Sequence, residues 1–258
     1  MDLCLSQKRV LVTGGSRGIG FAVAEAFLLE GAEVVIVSRE RKGLEAAADK
    51  LFRSTGSKPS WYSFDLSDID QRVTLHSVVG CVDILVNNAG AIPGGSLSTV
   101  KIEDWISSWS LKVFGYIHLC QLFLPDMRLK KSGTIVNIIG MGGRAVRSNY
   151  ICGAGGNAAL IGFTNAIGSE TPAYNVRVFG INPSPTLTDR LIQLYKVRAT
   201  EELKDADRWE ELMDSSNMPF GRVKWPSEVA ALSVMLSSPK VHYLSGTVID
   251  LDGGIQWT

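Results

Sequence analysis

Four glycines set between an apolar run and a helical stretch constrain this chain more than any other feature. Val10-Leu11-Val12 reads as a buried strand, Thr13-Gly14-Gly15-Ser16-Arg17-Gly18-Ile19-Gly20 as a tight turn, and Phe21 to Glu30 as a helix. Glycines let a backbone come close to an anion. The helix start behind them offers unpaired N–H donors and the positive end of its dipole. Gly14, Ser16, Arg17, Gly18, Ile19 and Gly20 are therefore candidate contacts to a pyrophosphate. The alternative is a loop rich in glycine for turn geometry alone.

Alternation governs the rest of the chain. Strands are expected near Arg9 to Thr13, Glu33 to Val37, Ser60 to Phe64, Asp83 to Val86, Thr134 to Ile138, Val176 to Ile181 and Thr247 to Leu251, with helical patterns between them. Near-continuous Val and Ile runs fit a parallel sheet covered on both faces, and right-handed crossovers make it doubly wound. The expectation is a single-domain α/β Rossmann fold spanning residues 1–258, with a seven-stranded parallel sheet. Ligands of such sheets lie beyond the strand C-termini, where the glycine turn falls.

With 26 basic and 26 acidic residues, the chain carries no charge excess that would draw it to nucleic acid or an anionic membrane. Cys4, Cys81, Cys120 and Cys152 have neither metal-ligand nor disulfide-framework spacing, so buried reduced thiols are expected and no metal. Neither a signal peptide nor an apolar run of bilayer length is found, which makes the cytoplasm the expected location.

Further motifs follow the glycine turn in order. They are Asp65-Leu66-Ser67, Asn87-Asn88-Ala89-Gly90, Asn182-Pro183-Ser184-Pro185-Thr186-Leu187-Thr188, and Ser245-Gly246-Thr247 with Asp252-Gly253-Gly254. The ordered set, which covers essentially the whole chain, resembles the short-chain dehydrogenase/reductase family. That resemblance implies adenine contacts at Asp65 and Leu66 and further cofactor contacts at Asn88, Ala89 and Gly90. It implies nicotinamide-side contacts at Pro183, Thr186 and Thr188, with Ser184 standing where glycine is usual. It also implies a homodimer or homotetramer, built on a long helix around Ile102 to Met127, although Trp105 and Trp109 could equally fill the monomer's own core. Residues 187–222 would be a substrate lid, with Arg190, Arg198, Lys204, Arg208, Trp209 and Met213 as candidates; a charged helical face that is merely solvated is the plainer alternative.

The end of the second strand, Val37-Ser38-Arg39, lacks the carboxylate that NAD-specific proteins use on the adenosine ribose. Arg39 and Arg17, beside Ser38, can instead flank a 2′-phosphate with guanidinium groups suited to bidentate contacts, which favours NADP(H) over NAD(H). Ordinary surface charge is the competing explanation.

The family's catalytic tetrad is Asn, Ser, Tyr and Lys. Family spacing, fixed at both ends by Ile135-Val136-Asn137-Ile138 and Leu160-Ile161-Gly162-Phe163, sets Lys112 at the asparagine position, Gly140 at the serine, Gly153 at the tyrosine and Asn157 at the lysine. Neither glycine supplies a hydroxyl. Lys112, Tyr150 and Asn157 become the candidate catalytic groups, with Lys112 and Asn157 also facing the cofactor. Lys112 could extend into the vacated space, and Tyr150 could turn its ring inward; a surface lysine and a packed ring are the alternatives. Glycines at 153, 155 and 156 cost a helix about 1 kcal/mol each, a sign of close approach by a ligand or of tight helix packing at an interface. Two functions remain open: an NADP(H)-dependent oxidoreductase acting on a small carbonyl/alcohol pair, or on an activated alkene, through a rearranged site, and a catalytically silent dinucleotide binder serving as sensor or partner subunit.

Overall fold

Neighbouring residues of the central strands feed two different cores, which explains why their apolar runs are unbroken. Val10 and Val12 join Phe27, Leu44, Leu51, Val229 and Val234 on one side of the sheet. Leu11 joins Leu75, Leu119, Phe123 and Met127 on the other. Each fully buried phenylalanine among these contributes about 1.5–3 kcal/mol by leaving water. The computed structural model describes residues 1–213 and 218–255; the side chains of Leu194, Val197, Arg198 and Glu201 also fall outside the described part.

The strands are β1 (Arg9–Thr13), β2 (Glu33–Ser38), β3 (Ser60–Ser63), β4 (Ile84–Asn87), β5 (Gly133–Ile138), β6 (Val176–Pro183) and β7 (Thr247–Leu251). They form one sheet in the order β3-β2-β1-β4-β5-β6-β7, and every pairing is parallel. Chain direction across the sheet reverses between β1 and β4, and the crevice beyond their C-termini is where such a fold receives a ligand. The helices are α1 (Gly18–Leu29), α2 (Arg41–Thr55), α3 (Ile69–Val79), α4 (Ile102–Leu111), α5 (Val113–Lys130), α6 (Ile151–Glu170), α7 (Asp189–Leu203) and α8 (Pro226–Ser237). Helices α1, α2 and α8 cover one face, and α3, α5 and α6 the other. The expected seven-stranded, doubly wound single domain is therefore what forms.

The single helix expected from Ile102 to Met127 is instead two. It breaks at Lys112, which ends α4 and starts α5. Lys112 keeps helical angles at the junction, and there Arg72 of α3 donates from Nη1 to the Ser110 carbonyl at 3.1 Å, a side chain taking up a helix carbonyl. The cysteine expectation also needs correction. All four thiols are free, yet only Cys120 and Cys152 are buried; Cys4 and Cys81 lie exposed outside the helices and strands. Among the described residues no helix is long and apolar enough to cross a membrane, and no group of three or more metal-binding side chains is assembled.

Candidate active site

The glycine loop is held by side chains rather than left to its own flexibility. Thr13 Oγ1 accepts from the backbone N–H groups of Asn88 and Ala89 at 2.8 and 2.9 Å. Asn88 Nδ2 donates back to the Thr13 and Gly14 carbonyls at 2.9 and 3.3 Å. The glycines are sterically required: a Cβ on Gly20 would run into the Gly14 carbonyl oxygen, and one on Gly15 would lie 2.7 Å from Ile36. Gly18, at φ +59°, sits beneath Thr188, so the N-terminal loop and the loop after β6 form two walls of one crevice. Thr188 also caps α7, accepting from the Leu191 N–H at 3.3 Å. Ser16 is half-buried on this loop, and the half-buried Ile19 side chain packs against the core.

In the turn after β3, Asp65 Oδ1 accepts from the Ser67 N–H and hydroxyl at 2.9 and 2.7 Å, which closes the turn on itself. Leu66 buries its side chain, while its carbonyl accepts from Arg72 Nη1 at 2.7 Å. Arg72 is only 2% exposed and reaches His118 Nδ1 with Nε at 2.9 Å. Sequence reasoning missed this arginine, although it occupies the buried stripe of α3 with Leu75 and Val79. A charge on an apolar stripe was the available signal. At the end of β2, Ser38 Oγ is buried without a hydrogen-bond partner. Arg39, the next residue, and Arg17 of the glycine loop are exposed and have no ion-pair partner among the described residues. A cradle that Cβ atoms would fill, a helix start and an orphaned hydroxyl at the end of β2 together fit a dinucleotide.

At the other end, Lys112 is 9% exposed. Its methylenes lie across Gly90, where a Cβ would meet Cδ at 3.0 Å, and its Nζ donates to the Ile139 carbonyl at 2.5 Å. Burial, aided by the Arg190 charge, lowers its pKa from 10.5 to about 7. Lys112 therefore points inward.

Tyr150 precedes α6, and its ring fills the space above Gly153. A Cβ there would overlap the ring carbons and lie 2.5 Å from Oη. Burial raises the phenol's pKa, and the Arg190 charge opposes that shift. Asn157 is 2% exposed, with Nδ2 3.2 Å from the position of a Cβ on Gly140 and with Oδ1 buried and unpartnered. Gly140 itself has φ +129°, a conformation that disfavours any side chain; its N–H donates to Asn182 Oδ1 at 3.3 Å.

Gly155 and Gly156 lie against Trp109 of α4 within the chain, Gly155 exposed and Gly156 buried. A Cβ on Gly155 or Gly156 would meet Trp109 at 3.3 or 3.2 Å, and Trp109 Nε1 donates to the Cys152 carbonyl at 3.2 Å. On the loop after β6, Thr186 is buried and donates to the Ser184 carbonyl at 2.9 Å, next to half-buried Pro183. Lys224 Nζ, another contact that sequence reasoning missed, donates to Ser184 Oγ at 2.8 Å and to the Leu251 carbonyl at 2.7 Å.

Of the expected lid side chains, Arg190 reaches the site. It donates to the Ile92 carbonyl at 2.5 Å and more weakly to Gly90 at 3.4 Å. Arg208 instead pairs with Glu211 at 2.7 Å on an exposed surface. Lys204 is exposed at the end of α7, and Trp209 and Met213 are half-buried. The side chain of Arg198 lies outside the described residues.

A doubly wound sheet with a glycine loop at its switch point and Lys112, Tyr150 and Asn157 gathered beyond β4 and β5 defines a Rossmann-class protein. Residues 8–199 match the family model of the short chain dehydrogenases, and the chain belongs to that family. It is 34% identical to the 3-oxoacyl-[acyl-carrier-protein] reductase of Chlamydia muridarum, covering 99% of this chain and 100% of that protein. It is 31% identical to the reductase of the same name from Thermotoga maritima, covering 97% and 98%. The crystal structure of L-sorbose reductase from Gluconobacter frateurii, complexed with NADPH and L-sorbose, superposes with a TM-score of 0.93 at 29% identity and full coverage of both chains.

Proposed function

We propose that this chain is an NADP(H)-dependent oxidoreductase that interconverts a small carbonyl compound and its alcohol through a rearranged site. In that site Tyr150 supplies the phenol in place of residue 153, and Lys112 supplies the ammonium in place of residue 157. The observation that carries this reading is the Tyr150 ring lying in the side-chain space of Gly153. The reductase names of its relatives and the NADPH bound to the L-sorbose enzyme support it.

Gly14, Ser16, Arg17, Gly18, Ile19 and Gly20 would hold the pyrophosphate, Ser38 and Arg39 the 2′-phosphate, and Asp65 and Leu66 the adenine. Ala89, Gly90, Pro183, Thr186 and Thr188 would line the nicotinamide side, with Asn88 acting through the loop it braces. Bound NADPH supplies the hydride. Tyr150 Oη gives the matching proton to the carbonyl oxygen, a step that typically contributes ~100- to 10,000-fold. The Lys112 ammonium sets the field in which that phenol works and has donors left for a ribose hydroxyl. Asn157 fixes the floor of the site beside Gly140. Residues 187–222, of which 214–217 lie outside the described residues, would form the lid, the exposed Ile102, Ile106 and Phe114 would offer the surface for a homodimer or homotetramer, and the cytoplasm would be the place of work.

A silent binder is the second reading, favoured by the direction of the phenol's pKa, since burial holds the proton on Tyr150. NADPH oxidation measured against a panel of carbonyl compounds separates the two. The expected outcome is slow turnover, lost in Tyr150→Phe and in Lys112→Met while both variants remain folded. Turnover unchanged in both variants, or absent from the parent protein, would refute the catalytic assignment.

A further inference from the structure

We propose that Arg190 and Lys112 together bind a carboxylate on the substrate, so that the chain acts on free oxo acids and hydroxy acids; this rests on the oxidoreductase reading of the same site. The two cations bracket one short segment. Lys112 runs over Gly90 with its methylenes, and Arg190 grips the Gly90 and Ile92 carbonyls from α7. Among the described residues neither one is paired with a carboxylate.

Both keep donors in reserve. An ammonium has three N–H donors and a guanidinium five, and Lys112 spends one on Ile139 while Arg190 spends two on carbonyl groups. A buried ammonium with a single neutral acceptor, beside a second cation, is an unfavourable arrangement that an anion relieves. The planar fork of a guanidinium matches a carboxylate in particular. Tyr150 Oη, whose phenol feels the same Arg190 charge, has no hydrogen-bond partner among the described residues and lies 2.5 Å from the position of a Cβ on Gly153, where the oxidoreductase reading puts the proton donor. A ligand with a carboxylate at one end and a carbonyl a few bonds away meets both requirements at once. Arg17 and Arg39, at the opposite end of the crevice, serve a different anion.

Pyruvate, acetoacetate, levulinate and the methyl ester of each place the ketone at increasing distance from a charged or neutral head. Titration calorimetry on the free protein and on NADP+-saturated protein compares each acid with its ester. At least one acid should bind about tenfold more tightly than its ester, the size expected of a charge-assisted contact. In Arg190→Gln the pair should come within about twofold, and Arg190→Lys should keep part of the contrast. Loss of a merely structural latch would weaken acid and ester alike and leave their ratio unchanged, and that result overturns the proposal. So does a series in which no acid is preferred in either form. Failure of the oxidoreductase reading is seen separately, as an acid preference that persists without any NADPH oxidation.

Discussion

The two ends of the crevice are finished to different degrees. Around the glycine loop and the turn after β3, Thr13, Asn88, Asp65 and Arg72 have polar groups engaged by backbone or side chain, with Ser38 Oγ and Asn87 Oδ1 as exceptions. Around Gly140 and Gly153 the opposite holds: Lys112 has one acceptor and Asn157 Oδ1 has none. A recognition surface made of backbone can be completed by the fold alone. On the proposed oxidoreductase reading, the end around Gly140 and Gly153 leaves groups for a ligand to satisfy, at a cost in stability that the core offsets.

Gly153→Ala attacks the unfinished end. Its methyl would occupy the space of the Tyr150 ring, so the ring must leave, and turnover should fall about 100-fold or more while NADPH affinity stays unchanged. Single-turnover rates beside fluorescence titrations check it, and undiminished turnover would show that the ring's position is incidental. Gly20→Ala attacks the finished end, where the new Cβ meets the Gly14 carbonyl, a rigid neighbour. We expect about 1–3 kcal/mol of destabilisation together with lost cofactor binding; a normal melting curve and normal affinity would mean the loop can yield.

Lys112 provides a test without any ligand. Its folded pKa, about 7, lies below the ordinary 10.5, so between those values the unfolded chain holds a proton that the folded chain has given up. Its cost to stability is full below pH 7 and fades as pH rises toward 10.5. Lys112→Met should therefore be more stable than the parent near neutral pH, by roughly 1–3 kcal/mol, with the gap closing in alkali. A gap independent of pH in chemical denaturation would place the ammonium in water. The smallest effect is expected of Arg39→Ala: about a tenfold loss of NADPH affinity with NADH unaffected. Equal losses for both cofactors would remove the phosphate role.

The finished end was also the legible one. A glycine loop between a strand and a helix is local chemistry, and unbroken Val and Ile runs announce a sheet buried on both faces. Lys112 could be singled out by position, yet Arg72, whose guanidinium meets the helix junction there, lies forty residues away in the chain. Where the Tyr150 ring lies depends on what residue 153 lacks, and spacing cannot express that. The lid charges show the same limit: Arg190 turns inward to the Ile92 carbonyl while Arg208 turns to Glu211, and nothing periodic separates the two.

The backbone at Gly140 carries a consequence for engineering. With φ at +129°, this position accepts a hydroxyl-bearing side chain only if residues 140–143 are rebuilt around it. A serine at 140 meets a strained backbone costing about 1–3 kcal/mol, and a tyrosine at 153 meets the Tyr150 ring, so the two side-chain changes toward a serine-and-tyrosine arrangement each start from a conflict. A redesign of this centre therefore gains most by changing the 140–143 backbone and the Tyr150 side chain in the same step.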